Sequence, residues 1–135
     1  RHVEKEVALK DLNADYLLWN IYQYIDTSAF QNRLVVIRFH LTDVPEEKAT
    51  NWFIARPGGS KEICITDPKY DVDLYIEAQS AALASVFMGY STLEQEQSAE
   101  TIFVTGEAYL IRRIDDWFVK SCYADPDFKS LIAAN

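Results

Sequence analysis

The sequence predicts an α+β domain: a five-stranded, mainly antiparallel sheet with helices packed on one face. Three observations predict it. Period-two alternation of apolar and polar residues recurs, as at residues 33–42 and 72–78, and marks half-buried strands. Helical spacing of apolar residues recurs between and around those segments, as at residues 17–25 and 110–118. Short turns join several of the strands, which favours sequential antiparallel pairing, and one-sided apolar faces are buried by stacking in layers.

In chain order, residues 1–12 are polar and charged and read as a linker or arm, with residues 13–135 as one domain. Asn13 is placed to cap a helix carrying Leu17, Leu18, Ile21, Tyr22 and Ile25 at helical spacing. Asp26-Thr27-Ser28 ends that helix, with a short turn through Phe30. In the strand at 33–42, Val35, Ile37, Phe39 and Leu41 share one face, and Leu34, Val36, Arg38 and His40 the other. Both faces are partly apolar, so one should be covered and the other partly shielded. Residues 43–47 are a loop, in which Pro45 cannot continue a central strand. Segments 51–55 and 61–66 flank Arg56-Pro57-Gly58-Gly59-Ser60, a hairpin signal whose glycines supply positive φ. Asp67-Pro68 then turns into the strand at 72–78, which reads as the next member of an antiparallel meander.

The second half continues the pattern. Ser80 is placed to cap a helix with Leu83, Val86 and Phe87 on one side, ending at Gly89. Ser91-Thr92-Leu93-Glu94 reads as a capping box opening a short helix that ends near Ala99. A strand at 102–105 is added by a longer crossover and broken by Gly106. Leu110, Ile111, Ile114, Trp117 and Phe118 form a wide stripe on one further helix. Past a loop at 121–126, Asp127 is placed to cap a terminal helix holding Phe128, Leu131 and Ile132.

Composition narrows the function classes. A chain of 135 residues, 49% apolar, has length for one domain and a core that needs no disulfide or metal. Its apolar runs are too short for a transmembrane helix or signal peptide, so a cytoplasmic protein is expected. The net charge of −8 repels phosphate backbones, and only Arg112-Arg113 are adjacent basic residues. Direct nucleic-acid contact by this segment is therefore not expected. Cys64 and Cys122 have no CxxC partner or metal-ligand spacing, and read as free thiols, with a disulfide as the alternative.

Catalytic patterns are sparse. There is no GxSxG elbow and no phosphate-cradling glycine pattern. His2 lies in the predicted tail, and His40 reads as a surface or interface histidine on a strand. Asp67, Asp71 and Asp73 lack the glycine and flanking helices of a calcium loop, and read as turn and strand-face residues. Asp115 and Asp116 are adjacent, hence roughly a hundred degrees apart on a helix, and read as a solvated edge. Aromatic residues remain as the signal: Trp52, Trp117, Phe87 and Phe39 either fill a core or line an apolar pocket. No catalytic residue, metal ligand or cofactor is assigned.

The run DPKYDVDLYI, a helix ending LASVFMGYSTLEQ, then TIFVTG and YLIRRIDDWF, resembles the sterol carrier protein type of lipid-binding domain. More narrowly, it is similar to the C-terminal domain of some HxlR-type winged-helix regulators. Asp15-Tyr16-Leu17-Leu18-Trp19 and Val35-Val36-Ile37-Arg38-Phe39 also match that narrower pattern. The likeness runs from about Asp11 to Tyr123 and rests on order and spacing, with no single diagnostic motif. It implies an apolar tunnel between sheet and helices, filled by a hydrophobic small molecule or lipid. It further implies a transcription-regulator context, with DNA contact through a winged-helix half that is absent here, and allows a homodimer. The chain begins at Arg1, as a fragment or processed product would. The expected ligand-binding wall is Leu74, Ile76, Ile102 and Val104 from the sheet, Leu83, Val86 and Phe87 from one helix, and Leu110, Ile114 and Trp117 from another. The alternatives are a structural or dimerisation domain with a collapsed pocket, and an enzyme of undetected type.

Overall fold

The computed structural model describes residues 13–118. The predicted arm at 1–12, the terminal helix of Phe128, Leu131 and Ile132, and Cys122 lie outside the described residues. Helix α1 spans Ala14–Tyr24, and the Asn13 side chain accepts a hydrogen bond from the Tyr16 amide, as a cap should. A 3₁₀ turn, Thr27–Phe30, follows. Strand β1 (Val35–Leu41) leads through a short helix α2 (Glu46–Ala49) to β2 (Thr50–Ala55) and β3 (Lys61–Cys64). Strand β4 (Leu74–Ala78) precedes helices α3 (Ser80–Phe87) and α4 (Leu93–Ser98). The described chain ends in β5 (Ile102–Gly106), α5 (Ala108–Arg112) and α6 (Ile114–Trp117).

The five strands form one sheet in the order β3-β2-β1-β4-β5, and helices cover one face, the α+β architecture expected. The meander, however, is corrected. It ends at β3: β4 lies beside β1 and parallel to it, with Ile37 opposite Leu74 and Phe39 opposite Ile76. The other three pairings are antiparallel. Residues 65–73 therefore cross a sheet face, as parallel neighbours require. The crossing is secured at Asp73, whose N–H donates to Val36 O (2.9 Å) while its carboxylate accepts from Val36 N (2.8 Å). The choice of neighbour has a physical basis. Strand β1 is buried along most of its length and needs a partner on both sides, whereas β3 is only half-buried and serves as an edge.

The core lies between sheet and helices. Val35, Ile37, Phe39, Phe53, Leu74, Ile76 and Ile102 meet Leu17, Ile21, Leu83, Val86, Phe87 and Trp117 there, and all are buried. Helix α3 is buried nearly all round rather than on one side. Its cap is also corrected. Ser80 is its first residue, and the Asp43 carboxylate, reaching from the loop after β1, accepts from the Ser80 amide (3.0 Å) and hydroxyl (2.9 Å). The capping box of α4 is shifted by one residue, to Thr92 and Gln95. The last predicted helix is two, broken at Arg113, where φ −105° and ψ 20° leave the helical region. Trp117 explains that break. Its indole donates to Leu110 O (2.9 Å), and its carbonyl accepts from the Asp26 amide (2.9 Å), tying α6 to the end of α1.

Candidate functional site

Between α1 and the β2–β3 edge lies an open groove of about 360 Å³. Leu18 and Asn51 are buried at its base, and the half-buried Ile63 projects from β3. Trp19 and Ile65 flank it at 49% and 81% exposure, values that leave most of Ile65 in water. Asp15, Glu47 and Lys48 form the rim, with Lys48 Nζ 4.0 Å from Asp15 in an exposed pair. The lining is therefore mainly apolar with one charged lip, the composition of a site that takes an apolar body and tolerates a polar end. Asn51 supplies the polar contact: its side-chain amide makes no hydrogen bond among the described residues. The groove's position is set by α1. Tyr22 donates to Lys61 O (3.0 Å), and Lys61 Nζ donates to Gln23 O (2.8 Å) and Ile25 O (3.1 Å), pinning the helix C-terminus to β3. Burial, only partly offset by Asp26, lowers the Lys61 pKa.

The ten residues expected to line a cavity share the layer between sheet and helices. Leu74, Ile76, Leu83, Val86, Phe87, Ile102, Leu110 and Trp117 are buried in the central cluster, and Val104 and Ile114 are half-buried against it. Sheet register explains the grouping, since Ile76 pairs with Val104 and Ala78 with Ile102, pointing their side chains to one face. The groove is built from other residues, at the β3 edge of the sheet. Trp19 and Ile65 are not among the site residues the sequence points to. Trp19 lies off the apolar stripe of α1, and that departure is the available signal for it; Ile65 keeps the strand phase of Ile63 but lies past the end of β3.

Other sequence candidates resolve as structure. Asp67 accepts from the Lys69 amide (2.8 Å) in a turn, and Asp73 holds Val36. His40 Nδ1 lies 2.8 Å from Thr50 Oγ1, and Asp116 pairs with Arg113 at 3.1 Å. Burial, and then Glu62 beside it, push the Cys64 thiol pKa up, toward an inert thiol. Among the described residues, no group of three or more His, Cys, Asp or Glu is placed to hold a metal ion, and no helix is long and apolar enough to cross a membrane.

No protein-family model matches the chain, and no curated protein matches it by sequence. Solved structures do. The sterol carrier protein domain 2 of Helicoverpa armigera aligns with a TM-score of 0.53 at 9% identity, covering 88% of this chain and 90% of that one. Sterol carrier protein 2 like 2 from Aedes aegypti aligns with a TM-score of 0.52 at 10% identity, covering 76% and 93%. The stereoselective inverting sec-alkylsulfatase Pisa1 from Pseudomonas sp. aligns with a TM-score of 0.59 at 14% identity, covering 81% of this chain. The chain spans 17% of that sulfatase's length. The fold is thus of the sterol carrier protein type, an α+β layer that also occurs within a larger enzyme.

Proposed function

We propose that this domain binds a hydrophobic small molecule or lipid without performing chemistry on it. The observation that carries the reading is the groove beside α1, where Trp19, Ile63 and Ile65 offer apolar surface next to the unpartnered amide of Asn51. An apolar chain laid there removes its own surface and that of Ile65 from water, at about 25 cal/mol per Å². The groove is the mouth. The inner end of the ligand reaches the layer of Leu74, Ile76, Leu83, Val86, Phe87, Ile102, Val104, Leu110, Ile114 and Trp117 when the helices part from the sheet. The sterol carrier protein likeness supports this reading through the fold. In a longer, cytoplasmic regulator the domain would serve as ligand sensor, as a homodimer, with DNA contact left to a winged-helix segment. The −8 charge of this chain favours that division of labour.

Native mass spectrometry of the protein purified under mild conditions tests the proposal. A co-purifying apolar adduct, released by organic solvent, is the expected result. The close burial of Phe87 and Trp117 favours a second reading, a structural domain with a collapsed pocket. In a sealed core, Phe87→Ala and Trp117→Ala each cost about 3–5 kcal/mol. Losses of that size at both positions, with no adduct, would establish the structural reading instead.

A further inference from the structure

The sheet face opposite the helices carries a second concavity, of about 500 Å³, that the proposed lipid reading does not use. Its floor follows from strand register. Arg38 on β1 is flanked by Trp52 on β2 and Tyr75 on β4, in one row across the sheet. Its wall is the segment crossing from β3 to β4, which supplies Asp67, Tyr70, Asp71 and Val72. Arg38 is half-buried, and its guanidinium lies 5.9 Å from the centroid of the Tyr75 ring. Among the described residues no hydrogen bond or ion pair holds that guanidinium. Tyr70 is positioned from outside: Arg56 lies 6.0 Å from its ring centroid, donates to its hydroxyl at 3.4 Å and is itself paired with Glu62.

The distribution of charge selects the ligand. One cation lies on the floor and two carboxylates on the wall, and the Asp71 carboxylate has no partner among the described residues. A simple anion would meet Arg38 but be repelled by Asp67 and Asp71; a simple cation meets the reverse. Trp52, Tyr70 and Tyr75 also line the concavity, and aromatic rings attract a cationic nitrogen. We propose that this face binds a small zwitterion, its carboxylate on Arg38 and its cationic nitrogen among the rings, Asp67 and Asp71. The site is separate from the groove beside α1, so its failure and that of the lipid reading are independent.

Glycine betaine is the probe, titrated into ¹⁵N-labelled protein while the Trp52 indole and Arg38 Nε–H signals are followed. The expected result is a saturable shift confined to the sheet face around Arg38. Arg38→Gln, and the double variant Asp67→Asn with Asp71→Asn, should each weaken binding by about tenfold or more. Acetate alone and tetramethylammonium alone should likewise bind about tenfold or more weakly. Should Arg38→Gln unfold, Arg38→Lys reads the same contact through loss of the planar fork. Absence of a saturable shift, either half-ligand matching betaine, or unchanged affinity in the Arg38 or the double aspartate variant would overturn the proposal.

Discussion

Gly106 shows how one residue can hold a connection together. It ends β5 with φ +136°, and a Cβ at that position would stand 2.3 Å from Asp73 O, the same carbonyl that accepts from the Glu107 amide. Gly106→Val should therefore cost clearly more than the ~1 kcal/mol of a propensity change, read from the denaturant midpoint. An unchanged midpoint would remove its special role. The break at Gly106 was legible in the sequence; its contact with Asp73 was not, because that contact depends on the register in which β5 pairs with β4, with Gly106 opposite Leu74. Asp26 offers a second test. Its carboxylate accepts from the Ser28 hydroxyl (2.7 Å) and amide (3.0 Å), which hold its pKa below the ordinary value. A depressed folded pKa contributes stability above the unfolded value that is lost as pH falls through the folded one. The destabilisation caused by Asp26→Ala should thus shrink between neutral pH and about pH 3, the region where carboxylates titrate. A difference that stays constant with pH would contradict it.

At the scale of elements, periodicity located nearly every helix and strand, but local pattern misplaced the contacts that bound them. Ser91-Thr92-Leu93-Glu94 and Thr92-Leu93-Glu94-Gln95 both satisfy the capping-box rule, and the structure uses the second. Thr92→Ala should accordingly cost about 1 kcal/mol, whereas Glu94→Ala, at an exposed residue whose side chain makes no hydrogen bond among the described residues, should stay within about 0.5 kcal/mol. Chemical denaturation of both variants decides between the registers, and the reverse order would restore Ser91 and Glu94. The cap on α3 was not legible at all, since Asp43 is distant in sequence and reaches Ser80 only once β1 and β4 are paired. The stripe from Leu110 to Phe118 suggested one helix because both halves of a broken helix present apolar residues to the same layer. Nothing in that periodicity records that the Trp117 indole must reach Leu110 O.

For the whole molecule, the fold class was legible because alternation and helical spacing are properties of short windows. The strand order was not, because the crossing at 65–73 is settled by which strand needs a second neighbour. The same limit applies to the candidate site. The ten residues read from apolar faces do converge on one layer, but the groove open to water is made where α1 meets the sheet edge. Trp19 and Ile65 become neighbours only there. The central claim is that an apolar ligand binds through this groove. It is tested most directly by titrating a fluorescent long-chain fatty acid into the wild-type protein and into Ile65→Asp, an exposed position at which a charge leaves the core untouched. The account predicts saturable binding to the wild type, weakened by about tenfold or more in Ile65→Asp with its thermal stability unchanged. No saturable binding to the wild type, or equal binding to both, would contradict it.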